Sequence, residues 1–126
     1  MIRVALRPTI ASDLPHVIGE PLPFRIRAIT AHIGDQVLGV GGLGYLPNGI
    51  VGAFVAMNAE GRKYPTAIHR AGLAAMRMIR ASGEQRVVAV ADEFVPGASR
   101  WLERLGFRPV TVDGLTAYVW EAARHG

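Results

Sequence analysis

Residues 50–67, IVGAFVAMNAEGRKYPTA, contain the transition on which the fold of this chain depends. The apolar run Ile50–Met57 has the length and composition of a buried strand. A polar loop follows, and Pro65 suits the first turn of a helix because its missing N–H would have no partner there. Helix-opening N–H groups attract anions, and Arg62 and Lys63 stand beside that end. The stretch is either a phosphate-binding strand–loop–helix unit or an ordinary solvated turn with two surface cations.

The residues before this unit predict a hairpin. Residues 36–59 contain no charged side chain, and that length is sufficient to cross a bilayer. However, Asn48-Gly49 lies in the middle of the stretch, and this dipeptide is a strong signal for a type I′ turn. We therefore expect a strand Val37–Leu46 to pair with Ile50–Met57, and we reject a membrane helix.

Other motif-like features indicate no chemistry of their own. Gly39–Gly44 matches G-x-G-x-x-G, but a turn follows it, whereas dinucleotide binding requires a helix. A glycine-rich strand instead favours the close approach of a helix or a ligand. The histidines lack partners at metal-ligand spacing, so we expect no metal site. The chain has no cysteine, which excludes thiolate nucleophiles and disulfides.

The remaining pattern predicts one α/β (α+β) domain over residues 1–126. The elements alternate as strand, helix, three strands, helix, strand, helix and two strands. Besides the hairpin, we expect strands Ile2–Arg7, Arg27–Ile33, Arg86–Ala91, Phe107–Val112 and Thr116–Trp120, and helices Ser12–Ile18 (with Ser12 as the N-cap), Pro65–Ala81 and Ala98–Leu105.

Composition narrows the class of protein. The chain has 126 residues, half of them hydrophobic, which suits a single folded core and argues against disorder. The N-terminal residues lack the apolar stretch of a signal peptide, so we expect a cytoplasmic protein. The net charge of +4 is modest and spread along the chain. It favours an anionic small-molecule ligand over a nucleic acid.

Two motifs, taken with the order of the elements, resemble the GNAT family of N-acetyltransferases. The stretch 6–14, LRPTIASDL, is similar to the family's strand-to-helix opening, I-R-x-A-x-x-x-D-L. Leu105-Gly106-Phe107, after a short helix, is similar to the family's L-G-F near the C-terminus. The resemblance extends from about Ile2 to Trp120. It implies a twisted, mostly antiparallel mixed sheet flanked by helices, with one splayed parallel pair of central strands.

The resemblance also implies an acetyl-CoA site. In the family, the pantetheine arm pairs with the strand before the loop, at the point where this strand parts from the neighbouring strand. In this chain, the strand before the loop ends at Val55-Ala56-Met57, and the neighbouring strand is Val87–Ala91. The family's pyrophosphate loop, R/Q-x-x-G-x-G/A, aligns with residues 62–67, where proline replaces the first glycine and removes one N–H. The expected cofactor-binding residues are Val55, Met57, Arg62, Lys63, Tyr64, Thr66 and Ala67.

The catalytic side departs from the family's pattern. Leu102 stands where many members have a tyrosine general acid, and Val95 stands where an asparagine often precedes the late helix. The strand Ile50–Met57 has no acid. We therefore predict Asp92 and Glu93, just past the partner strand, as general-base candidates, with solvated loop acids as the alternative. Tyr64 and Tyr45 are weaker candidates.

The resemblance leaves three functions open. The first is an acetyl-CoA-dependent N-acetyltransferase acting on a small-molecule or protein amine. The second is a GNAT-fold binding protein without transferase activity, similar to compact members encoded by phages and prophages. A basic nucleic-acid module ranks last, because arginines on the strands lack aromatic neighbours. The short segment Ile18–Arg25 suggests an open acceptor side, and the apolar strand Leu115–Trp120 favours a homodimer.

Overall fold

The computed structural model describes residues 3–90 and 97–124. The strands are β1 (Ala5–Pro8), β2 (Arg25–Ile33), β3 (Gln36–Tyr45), β4 (Val51–Met57), β5 (Arg86–Ala89), β6 (Arg108–Val112) and β7 (Leu115–Glu121), and the α-helices are α1 (Pro65–Ala81) and α2 (Ala98–Arg104). Within these residues the strands form one sheet in the order β1-β2-β3-β4-β5-β7-β6.

Neighbouring strands are antiparallel except for β4 and β5, which run parallel. The long helix α1 forms the connection between them, as a parallel pair requires. This arrangement confirms the predicted fold class, a mixed and mostly antiparallel sheet with one parallel pair. The predicted bounds of α1 are also confirmed, because its apolar periodicity, its N-terminal proline and the Gly83 after it agree with each other.

The predicted turn at Asn48-Gly49 is present, and a similar turn lies at Asp113-Gly114. Asn48 and Gly49 have φ values of 69° and 75°, and Asp113 and Gly114 have φ values of 52° and 79°. Two consecutive positive φ angles are the property of type I′ turns, whose twist matches that of the flanking strands. The charge-free stretch 36–59 therefore forms the β3–β4 hairpin and the start of the following loop. No helix in the described ranges is long and apolar enough to span a membrane.

The first predicted helix is wrong in type and in its cap. Residues Ala11–His16 form a short 3₁₀ helix that contains Pro15 and has no cap from Ser12. Proline inside the segment removes a backbone donor, which limits its extension. The carboxylate of Asp13 instead accepts the backbone N–H of Ile10 at 2.9 Å. The side chain that satisfies a backbone N–H at the start of this segment is therefore that of Asp13, inside the turn.

Asp13 also anchors this turn to the sheet. Its side chain is 3% exposed and accepts two hydrogen bonds of 2.7 Å from the guanidinium of Arg7 on β1. The hydroxyl of Thr30 on β2 donates a further bond of 2.8 Å. The hydrogen bonds from Arg7 lower the pKa of Asp13 well below its ordinary value, against the opposing effect of burial. A single buried carboxylate therefore joins β1, the 3₁₀ turn and β2.

The core lies between α1 and one face of the sheet. The buried cluster contains Leu43, Met76, Ile79, Val87, Leu102, Phe107 and Trp120. Gly44, next to Leu43 on β3, faces the opposite side, because successive residues of a strand alternate. A Cβ built at Gly44 would lie 2.6 Å from the ring of Phe24. The segment that contains Phe24, between the 3₁₀ helix and β2, therefore covers part of the second face of the sheet.

Candidate cofactor site

The strands β4 and β5 part after a single backbone pairing. Gly52 pairs with Val88, and no further β4–β5 pairing occurs among the described residues. On its other side β4 stays paired with β3 up to Met57. Among the described residues, the edge of β4 that faces away from β3 therefore has no strand partner from Ala53 to Met57, and Val55 in this part of the strand is 45% exposed. The parting agrees with the splayed pair that the sequence predicts, except that β5 ends at Ala89.

Asn58 anchors the loop that follows β4. Its side-chain amide donates to the carbonyl of Val37 at 2.7 Å, and its side-chain oxygen accepts the N–H of Gly61 at 2.9 Å. Its backbone N–H donates to the carbonyl of Leu38 at 3.1 Å. The sequence analysis did not identify this residue. The signal was available, because an asparagine that bonds the backbone a few residues onward is a common turn former.

Gly61 allows the loop to lie directly against β3. A Cβ built at this position would be 2.3 Å from the carbonyl oxygen of Leu38, closer than any real contact of that kind. Gly61 begins a short 3₁₀ turn, Gly61–Lys63. The N–H groups of Lys63 and Tyr64 are used within that turn, by the carbonyls of Glu60 and Gly61. These N–H groups are therefore not available to a ligand in this conformation.

The first turn of α1 supplies backbone donors. The carbonyl of Tyr64 accepts the N–H of Ile68 at 3.0 Å, which closes the turn. Pro65 contributes no N–H, and Thr66 and Ala67 lie in the positions whose N–H groups have no intrahelical acceptor. Both N–H groups lie at the positive end of the helix dipole. This geometry can hold a phosphate oxygen with two backbone donors.

The two cations of the loop differ in their surroundings. The ammonium of Lys63 lies 2.8 Å from a carboxylate oxygen of Glu60, and its hydrogen bond to that carboxylate raises the pKa of Lys63. In the described ranges no carboxylate lies within ion-pair distance of Arg62. Since a guanidinium offers a planar fork of donors, Arg62 is the better phosphate ligand of the two.

The seven predicted cofactor residues come together in one continuous path. Val55 and Met57 lie on the open half of β4, Arg62, Lys63 and Tyr64 lie in the loop, and Thr66 and Ala67 lie in the first turn of α1. The path therefore offers an open strand edge, two helix N–H groups and a guanidinium in succession. These features fit an elongated ligand that has amide groups at one end and phosphates at the other.

The predicted catalytic residues Asp92 and Glu93 lie outside the described residues, as does Val95. Leu102 is 9% exposed and belongs to the core cluster, so it presents no polar group to a site. Tyr45 lies at the end of β3 and packs against the same cluster. Three or more potential metal ligands do not cluster anywhere in the described ranges.

A contact between the two helices borders the open edge of β4. The indole N–H of Trp101, on α2, donates to Nδ1 of His69, on α1, at 3.1 Å. The same indole lies over Gly72, where a built Cβ would be 2.6 Å from its ring. The sequence analysis did not find this contact, because the partners are far apart in the chain.

Several solved N-acetyltransferase structures share this architecture. No protein-family model matches the sequence, and no curated protein matches it significantly. An N-acetyltransferase from Staphylococcus aureus superposes with a TM-score of 0.71 at 12% identity, covering 95% of this chain and 99% of that chain. A GNAT family N-acetyltransferase from Escherichia coli, solved with CoA, gives 0.70 at 16% identity, covering 98% of this chain and 84% of that chain.

A phosphinothricin acetyltransferase of the GNAT superfamily from Sinorhizobium meliloti, solved with AcCoA, is similar to the same extent. Its TM-score is 0.66 at 15% identity, and the match covers 92% of this chain and 85% of that chain. Each match extends over nearly the whole chain. The chain has the GNAT fold, which confirms the fold that the two sequence motifs predict.

Proposed function

We propose that this protein binds acetyl-CoA and transfers its acetyl group to an amine acceptor. One observation carries the proposal: the open edge of β4 leads without interruption into a loop and a helix N-terminus that can hold phosphates. The Escherichia coli and Sinorhizobium meliloti structures with this fold contain CoA and AcCoA, respectively. A ligand of that shape, amides at one end and phosphates at the other, matches the order of groups along the path.

The amide-rich pantetheine arm would pair with the open half of β4. An extended ligand adds to a strand edge through main-chain hydrogen bonds, and the side chains beside it provide specificity. Here Val55 and Met57 lie on that half of the strand. The N–H groups of Thr66 and Ala67 and the guanidinium of Arg62 would hold the pyrophosphate.

Pro65 weakens this site without removing it. The missing N–H takes one charge-assisted hydrogen bond from the phosphates, which is worth roughly 1.5–3 kcal/mol. That loss corresponds to about a 10- to 150-fold weaker affinity. The remaining donors at Thr66, Ala67 and Arg62 are sufficient for binding, so we expect a dissociation constant in the micromolar range or above.

The chemistry places few demands on the protein. Acetyl-CoA supplies an acetyl thioester, whose thiolate is a good leaving group. The acceptor amine must be deprotonated before it attacks. Asp92 and Glu93 follow β5 in the sequence, and they remain our general-base candidates. We propose that the acceptor is a small-molecule or protein amine. We also propose that the protein is cytoplasmic and forms a homodimer. Exposed Val112 and Leu115, in the β6–β7 hairpin, support the homodimer.

A second function is favoured by one observation. Leu102 occupies the tyrosine position of the resembled family and is buried in the core. A protein that binds CoA without transferring the acetyl group would not require a general acid at this position. Binding of acetyl-CoA without acetylation of any amine acceptor would support this alternative.

Calorimetric titration with acetyl-CoA, and with CoA as the comparison ligand, tests the proposal. Arg62→Ala is expected to weaken binding at least about tenfold. Arg80→Ala is the matched control, because it removes an exposed arginine from the other end of α1, about 22 Å away along the helix. Equal loss in both variants would indicate a general charge effect, and an unchanged affinity of Arg62→Ala would refute the assignment of the loop.

A further inference from the structure

A groove open to solvent lies on the face of the sheet away from α1. The hydroxyl of Thr30 on β2 donates to Asp13 in the 3₁₀ helix at 2.8 Å, so this helix packs on the face that Thr30 presents. Ile26 shares that face, because alternate residues of a strand point the same way. Ile26 and parts of the segment 11–24 form the walls of the groove. The groove therefore lies between the 3₁₀ helix, the segment that follows it and β2.

The lining of the groove is apolar and carries one acidic group. Five half-buried side chains supply most of the apolar surface: Leu14, Ile18, Leu22, Phe24 and Ile26. Glu20 is the one ionisable residue of the lining in the ranges that the structure describes. A carboxylate beside apolar walls favours a ligand that has a cationic group on an apolar body.

One row of paired residues connects the groove to the point where β4 and β5 part. Ile26 pairs with Gly44, and Gly44 pairs with Gly52. Gly52 is the residue of β4 that pairs with Val88 on β5. Neighbouring strands lie about 4.8 Å apart, so the backbone of Gly52 is about 10 Å from that of Ile26. The ring of Phe24 lies over Gly44, so it extends the apolar wall toward the parting strands.

The acetyl end of the cofactor would lie at the same point. The first turn of α1, to which we assign the phosphates, lies beyond the end of β4 at Met57. An arm on the open edge therefore runs from Met57 back toward Gly52, where the β4–β5 pairing occurs. The acetyl group is carried by the end of the arm that is remote from the phosphates. It would thus reach the parting strands near Gly52.

The core covers the parting strands on the α1 face. Ala53 of β4 packs against the core cluster, which includes Val87 of β5. Their neighbours Gly52 and Val88 present the opposite face, because successive residues of a strand alternate. Gly52 has no side chain to fill that face. Among the described residues, an amine can therefore approach the acetyl group from the face that carries the groove.

We propose that the groove binds the acceptor, and that the acceptor is a primary amine on an aliphatic or aromatic hydrocarbon body. The inference rests on the proposed function. The body packs against Leu22 and Phe24, and Glu20 attracts the ammonium form, which loses a proton before it attacks. The nitrogen then bonds to the acetyl carbon, the C–S bond breaks, and the departing thiolate takes the proton that the nitrogen loses. Leu22, Phe24 and Glu20 are thus specificity-determining residues.

A comparison of acceptors tests the class of substrate. Release of the CoA thiol from acetyl-CoA is measured with 2-phenylethylamine, with spermidine and with a peptide that has an N-terminal alanine. The value of kcat/KM is expected to be at least about tenfold higher for 2-phenylethylamine, because burying an aromatic ring favours binding by about 10- to 150-fold. A higher kcat/KM for spermidine or for the peptide would overturn the inference.

Variants of the lining test the groove itself. Phe24→Ala and Leu22→Ala are each expected to lower kcat/KM for 2-phenylethylamine at least about fourfold, the effect of one buried CH₂ group. Calorimetry is expected to show unchanged CoA affinity, because neither residue lies on the cofactor path. Leu22→Ala keeps the ring over Gly44, so it provides a folded test even if Phe24→Ala is unstable.

The charge is tested separately. Glu20→Gln is expected to lower kcat/KM for 2-phenylethylamine about 2- to 5-fold, the effect of one exposed charge pair. Asp35→Asn is the matched control, because it makes the same charge change in an exposed turn at the other end of β2. Unchanged kcat/KM in Phe24→Ala, Leu22→Ala and Glu20→Gln would refute the assignment of the groove.

The outcomes separate this inference from the proposed function. Absence of CoA binding in the native protein refutes both. Acetylation of spermidine or of the peptide, with 2-phenylethylamine inert, refutes the groove assignment alone and leaves acetyl transfer standing. CoA binding with none of the three amines acetylated refutes the inference and supports the second function, a protein that binds CoA without transfer.

Discussion

Replacing Gly61 by alanine is the most direct test of how the loop is built. The added Cβ would lie 2.3 Å from the carbonyl oxygen of Leu38 and 3.3 Å from Cβ of Met57. Ordinary contacts of a Cβ begin at 3.4 Å, so the loop and β3 must separate by about 1 Å. Leu38 is fully buried in the sheet, and a carbonyl in a ladder has little freedom to move. The loop is therefore expected to shift.

The magnitude follows from the bonds that the shift stretches. The N–H of Asn58 lies 3.1 Å from the Leu38 carbonyl, and the N–H of Gly61 lies 2.9 Å from the Asn58 side chain. A movement of this size takes both beyond hydrogen-bond distance. Two such bonds contribute about 1–3 kcal/mol together. For a domain of this size, that loss lowers the melting temperature by roughly 3–15 °C.

Two measurements on Gly61→Ala test this reasoning. Urea unfolding measures the free energy of unfolding, and calorimetry measures CoA affinity, which is expected to fall about tenfold because Arg62 moves with the loop. Gly19→Ala is the matched control, since nothing lies within 4 Å of a Cβ built there. If Gly61→Ala unfolds at the same urea concentration as the native protein and Gly19→Ala, the close packing of the loop on β3 is wrong.

Three further predictions concern single residues. Asn58→Ala is expected to lower the free energy of unfolding by about 1–3 kcal/mol in urea titration, because it leaves the Gly61 N–H and the Val37 carbonyl without their side-chain partner. Since the pKa of Asp13 is lowered in the folded state, its stabilisation is complete above about pH 4 and is lost as the pH falls through the lower folded value; Asp13→Asn is expected to reduce this acid dependence in urea titrations between pH 6 and 2. Pro65→Gly is expected to tighten CoA binding in calorimetry about 10- to 150-fold, because it restores one phosphate-facing N–H.

Each of these predictions has a contradicting outcome. An unchanged unfolding midpoint for Asn58→Ala would show that the side chain does not anchor the loop. If the free energy of unfolding of Asp13→Asn falls with pH as much as that of the native protein, other carboxyl groups cause the acid dependence. Unchanged CoA affinity in Pro65→Gly would mean that the first turn of α1 does not contact the phosphates.

Local patterns accounted for the strands and for the long helix. Pro65 at the start of α1, and Gly83 just past its end, mark its limits within the sequence itself. The turn at Asn48-Gly49 follows from two residues that tolerate positive φ. The prediction of the first helix was wrong because Ser12 has a side chain typical of an N-cap. In the folded chain it is Asp13 that forms the hydrogen bonds, with Arg7 and Thr30, both on strands.

The candidate site was predictable only in part. Residues 50–67 contain a strand, two cations and a helix start in that order. This order predicted a binding site in the loop and the first turn of α1. The sequence did not reveal that Lys63 is engaged by Glu60 while Arg62 has no such partner in the described ranges. Ion-pair choice depends on side-chain directions in a folded loop. Asp92 and Glu93 stay predictions.

By itself, the sequence determined the strands, the long helix and their order, because helix ends, glycine turns and apolar periodicity act between residues a few positions apart. The tertiary structure alone decided the contacts in and beside the candidate site. Gly61 meets Leu38, and His69 meets Trp101, only after the sheet register has brought distant segments together. Such contacts depend on positions in space, and a single sequence specifies those positions only through the completed fold.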